Sequence, residues 1–88
     1  MNVENLARQA QAKWGQEAQL NMVIEECVEL IDAIQKYRRG RVDFEKVVEE
    51  GVDVELMIEQ LEVIMEEPVL WRSIRDDKLD RLQGMLNA

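Results

Sequence analysis

The chain of 88 residues contains no histidine, one cysteine, one proline, four glycines and four aromatic residues. Each shortage excludes something. Without histidine there is no Ser-His-Asp or Cys-His triad, no imidazole acid–base catalysis and no His-containing zinc site. A lone cysteine, Cys27, excludes a disulfide scaffold and Cys-rich metal sites, and points to a reducing compartment. The opening MNVENLARQAQAKWG is polar and charged, unlike an export signal. No window approaches the ~20 apolar residues of a membrane-spanning helix. The expectation is a cytoplasmic chain with no membrane partner. Cations are scarce as well: eleven Lys and Arg stand against nineteen Asp and Glu, for a formal net charge of −8. That balance argues against polymeric nucleic acid as a partner, because phosphate contacts need Lys and Arg. What is abundant is carboxylate. It is the ligand of hard cations such as Mg2+ and Mn2+, and otherwise a solvated group.

The length fits one small domain, residues 1–88. Glu, Leu, Gln, Met, Ala and Arg dominate, all good helix formers. No segment alternates as a strand does, so the expected class is all-α, an antiparallel bundle of about four helices. The first helix spans Val3 to Trp14 and stops at Gly15. The second spans about Gln16 to Tyr37. Its apolar residues Leu20, Val23, Ile24, Cys27, Leu30, Ile31 and Ile34 recur at three- and four-residue steps, as one amphipathic stripe. Arg38-Arg39-Gly40-Arg41 ends it. Asp43 is placed to cap the third helix, which carries Val47, Val54, Met57, Ile58, Leu61, Ile64 and Met65 on one stripe. That helix should stop near Glu67, because Pro68 disfavours helix in the residue before it. A last helix starts at Trp71 or Ser73 and reaches Leu86. The short Arg38–Val42 link favours an αα-hairpin of the two long helices. Four helices make a thin core, so the leftover apolar surface calls for another copy of the chain, a homodimer or homotetramer.

The acid is concentrated. Residues 16–37 sum to −4 and residues 43–67 to −9, while the link carries +3. Residues three or four apart share one side of a helix. Glu26 and Glu29 therefore make one pair, with Glu25 a turn behind Glu29, and Glu50 and Asp53 make a second. Each pair borders its apolar stripe. An antiparallel hairpin can bring both pairs to one level. Four or five carboxylates there are costly without a cation, and with one or two Mg2+ they form an oxygen-ligand site. The plainer reading is that acidic pairs at this spacing line solvated helix faces.

Glu25-Glu26-x-x-Glu29, followed after twenty residues by Glu50-x-x-Asp53, resembles the EExxE…ExxD signature of the MazG-like all-α nucleoside triphosphate pyrophosphohydrolases. Trp14-Gly15, Gln19, IEECVELIDAIQKYRRGR and EEGVDVELMIEQL are also similar to short MazG-like proteins of bacteria and phages. The resemblance runs from about Leu6 to Met65. It implies a helical bundle that dimerises or tetramerises. It also implies hydrolysis of a nucleoside triphosphate to the monophosphate and pyrophosphate with Mg2+ or Mn2+. Glu26, Glu29, Glu50 and Asp53 match the family's metal ligands. Glu25 matches the first acidic position, as a further ligand or as the group that orients or deprotonates the attacking water. Gly51 departs from the small apolar residue or Leu usual there, and suggests a bent or closely packed turn.

Other residues have two readings each. Trp14 can stack on a nucleobase or anchor a core or interface. Gln19 can read a base edge or sugar, or be solvated. Lys36, Arg38, Arg39 and Arg41 can contact the triphosphate tail, or cap a helix and line a solvated loop. Cys27 and the five Met read as core. The rival functions are a non-catalytic acidic helical module that docks a partner, and a MazG-like protein that binds nucleotide or metal without turnover.

Overall fold

The computed structural model describes residues 2–88. They form four helices and no strand, in the order α1 (Val3–Trp14), α2 (Gln16–Arg38), α3 (Phe44–Met65) and α4 (Pro68–Leu86). Asn2 caps α1, its side-chain oxygen accepting from the Asn5 N–H at 3.1 Å. Gly15 and Gly40 take positive φ, 87° and 72°, at the two breaks that flank α2. Only glycine adopts such conformations without steric cost. Asp43 sits in extended backbone at the N-cap of α3, but its side chain makes no capping bond. Instead its carbonyl accepts from the Lys46 N–H at 3.1 Å.

Two boundaries differ from expectation. Helix α3 ends at Met65, where Glu66 turns left-handed at φ 53°. Helix α4 begins at Pro68, three to five residues before the expected Trp71 or Ser73. Proline fits a helix's first turn because the missing N–H needs no partner there and its φ is already helical. Gly51 neither bends α3 nor sits in a tight contact. The helix runs through it, and an added Cβ would meet nothing within 4 Å.

The main packing surface is the seam between α2 and α3, an antiparallel hairpin, with α1 laid against both. Helix α4 meets only α3 and buries none of its residues. The buried apolar residues are Ala7, Ala33, Met57 and Ile64. The expected stripe of α2 divides. Leu20, Val23, Cys27 and Leu30 are half-buried toward α3, whereas Ile24 and Ile31 are 61% and 57% exposed. A stripe spread over both three- and four-residue steps is wider than one helix partner covers, so its outer edge stays bare. Ile34 and Met65 are exposed for the same reason, whereas Ile74, Leu79, Leu82 and Met85 of α4 are exposed because that helix meets only α3 and buries none of its residues.

The outline is correspondingly open. The Cα radius of gyration is 15.7 Å, against about 12 Å for a compact domain of this length. The accessible surface is 7172 Å2, about 1,800 Å2 above the roughly 5,400 Å2 of a compact monomer of this mass. Among the described residues no helix is long and apolar enough to cross a membrane.

Ala33, 2% exposed, is the most buried residue of α2. Ala33→Leu inserts bulk where the seam has no space, and should cost about 1–3 kcal/mol. Urea unfolding at one fixed protein concentration measures it. An unchanged midpoint would mean that the seam is looser than described.

Candidate metal centre

The hairpin brings the acids of α2 and α3 to one level. Glu26, Glu29 and Glu50 each offer a carboxylate oxygen, and these oxygens lie within 4.8 Å of one another. Glu26 is half-buried, Glu29 exposed and Glu50 buried, so the cluster straddles the rim of the seam. Helical spacing puts Glu26 and Glu29 on one side of α2, and the antiparallel register carries Glu50 to meet them. Asp53, one turn along α3 from Glu50, stands outside this triad. Its charge nonetheless acts on Glu26.

The cluster is under electrostatic stress. Glu26 holds its proton above the usual 4.5. Burial is the largest cause. The negative charges of Glu29 and Asp53 follow, then a hydrogen bond shared with Glu29, then the charge of Glu50. One oxygen of Glu26 and one of Glu50 are buried with no hydrogen-bond partner. Buried polar atoms are nearly always paired, so two orphaned carboxylate oxygens in one place are unusual. The donors are all carboxylate oxygens, as hard divalent cations require, and the orphaned atoms fit such an ion.

One cation already reaches the cluster. Lys46 Nζ lies 2.9 Å from Glu50 Oε1 and 3.7 Å from Glu49. Those negative charges raise the Lys46 pKa, with the hydrogen bond to Glu50 the largest cause. Nothing in the sequence singled out Lys46, although the four-residue step from Lys46 to Glu50 is the signal for this pairing.

Glu25 is exposed, is not one of the three converging acids, and lines a neighbouring groove of about 610 Å3. Trp14, Gln19, Met22, Met57 and Gln60 also line that groove. Gln19 and Met22 precede the acids by a turn or two on α2, and Met57 and Gln60 follow them on α3. The groove therefore continues the seam from the triad toward Trp14. Gln19 is 4% exposed and its Oε1 has no partner. Gln60 Nε2 donates to the Leu56 carbonyl at 3.4 Å and lies 3.3 Å from Met57 Sδ. Trp14 is exposed, with the Lys13 ammonium 5.3 Å from its ring centroid. Met57 reads in the sequence only as part of the α3 stripe and Gln60 is not singled out there, because nothing local distinguishes them from core and surface positions.

Lys36 lies toward the other end of α2 and pairs with Asp32 at 2.9 Å, and Arg38 is the last residue of that helix. The structure brings neither into the groove. A second groove, of about 420 Å3, runs between α1, α3 and α4 and holds Arg8, Arg72 and Arg75 with Glu59 and Glu62. It contains none of the triad. No family model, no curated protein and no solved structure matches the chain.

The raised Glu26 pKa has a stability consequence. Between pH 4.5 and the raised value, the native state holds a proton that the unfolded chain has released. Stability of the metal-free protein therefore falls as pH rises through that interval. Glu26→Gln removes the penalty. Without metal, it should melt at a higher temperature than wild type at neutral pH, and the gap should close below pH 4.5. A neutral-pH melting temperature at or below wild type would contradict this.

Proposed function

We propose that the protein is a metal-dependent nucleoside triphosphate pyrophosphohydrolase of the MazG-like kind. The observation that carries the reading is the triad of Glu26, Glu29 and Glu50 with two orphaned oxygens, opening onto a groove with an exposed indole and a buried, unpartnered amide. The EExxE…ExxD resemblance supports the same chemistry. A triphosphate and this cluster are both strongly negative and cannot approach each other without divalent cations. Mg2+ or Mn2+, when bound, neutralises the phosphates and lowers the pKa of water.

The residues divide the work. Glu26, Glu29 and Glu50 would hold the ion, with Asp53, one turn along α3, as the further ligand that the resemblance implies. Glu25, between triad and groove, accepts the proton of the attacking water. Oxygen from that water bonds to the α-phosphorus, the bond to the bridging oxygen breaks, and pyrophosphate leaves. Trp14 stacks on the base, and Gln19 hydrogen-bonds the base edge or sugar. Lys36 and Arg38, remote from the groove, have no assigned contact in this arrangement. Non-catalytic docking and binding without turnover are the outcomes against which the tests discriminate.

A second copy of the chain completes the fold. The excess surface of about 1,800 Å2 is well above the roughly 800 Å2 per partner of a standard interface. It includes Val69, Leu70, Ile74 and Leu82 of α4, and Ile24, Val28 and Ile31 of α2, all more than 45% exposed.

Two measurements test these statements. Pyrophosphate release from a panel of dNTPs, NTPs and oxidised nucleotides should require Mg2+ or Mn2+. Glu26→Gln and Asp53→Asn should each lower kcat/KM by more than about 100-fold, beyond the loss that follows removal of an outer-shell partner. Activity that is absent throughout the panel, or survives both substitutions, rejects the enzyme. Light scattering on the purified chain should give twice or four times the 10.3 kDa monomer mass. A monomer at micromolar concentration rejects the assembly.

A further inference from the structure

We propose that Lys46 is a positioning residue, an internal counter-cation that holds Glu50 in the metal-free protein and yields it to the divalent ion. The inference rests on the metal reading of the triad. Its warrant is geometric. Glu50 is 6% exposed, and a carboxylate so far from water needs a positive partner. Lys46 supplies one at 2.9 Å on Oε1, while Oε2 stays buried and unpartnered. The same carboxylate is one of the three whose oxygens converge within 4.8 Å. The ammonium holds Glu50 by one oxygen and leaves the second without a partner.

The exchange has a place to go. Lys46 is half exposed, so its ammonium can leave without crossing the core. Glu49 is exposed and already 3.7 Å from the same nitrogen, so it receives the ammonium. No other Lys or Arg among the described residues pairs with a member of the triad; Lys36 is committed to Asp32. Lys46 also lies one turn before Glu50, whereas Met57 and Gln60 of the groove follow it. Its departure therefore leaves the groove untouched.

The two cations compete for one carboxylate, so removing Lys46 must tighten metal binding. Calorimetric titration of Mn2+ into the metal-stripped full-length protein, without nucleotide, reads this directly. Lys46→Met should bind Mn2+ roughly two- to fivefold more tightly than wild type, as the strength of a partly exposed pair implies. Lys46→Arg keeps the charge and should stay near wild type. Lys36→Met removes an equal charge that touches Asp32 instead, and at physiological salt should also stay near wild type. Equal or weaker binding by Lys46→Met overturns the proposal, as does an equal gain in Lys36→Met. If wild type and Lys46→Met both bind no Mn2+, the metal reading falls and takes this inference with it. Circular dichroism of each variant checks that the helices persist.

Discussion

The rest of the molecule depends on the antiparallel seam of α2 and α3. Two long amphipathic helices joined by a short basic link can bury their stripes only by folding back on each other. That contact supplies the little core there is, through Ala33, Met57 and the half-buried residues around them. It also forces a cost. Acids that would repel weakly on one solvated helix are pressed together from two, at the edge of an apolar surface where water screens them less. The raised pKa of Glu26 records that pressure.

A cluster stressed in this way has three physical exits: protonation, an internal cation or an external one. The structure shows the first two. Glu26 holds its proton more tightly, and Lys46 reaches Glu50 from the preceding turn. The orphaned oxygens of Glu26 and Glu50 leave room for a metal. Each positive charge that reaches the site relieves part of the repulsion the seam creates. The groove toward Trp14 extends the same seam past the acids. Charge and apolar surface thus lie end to end, as they do in a nucleotide.

The open side of the molecule follows from the same geometry. Once α2 and α3 face each other, their outer apolar edges have no partner within the chain. Helix α4, turned away after Glu66, covers none of them. The chain forms the hairpin without closing a core around it.

Much was legible in the amino-acid order. Helix type, the Gly15 and Gly40 breaks and the pairing of acids at three-residue steps are local properties, set by φ, ψ and the 3.6-residue turn. The start of α4 was misplaced because proline stops a helix before it and also opens one after it. What the order alone left undecided is which acids meet. Glu26, Glu29 and Glu50 converge while Glu25, equally acidic and adjacent, faces the groove. That follows from the rotation and register of α2 against α3, which are tertiary quantities. The same holds for Gln19, an ordinary polar residue in sequence that the packing of α1 and α3 places out of reach of water. The sequence by itself determined the helices and the excess of negative charge. The tertiary structure decided where that charge is crowded together, because crowding depends on distances between helices.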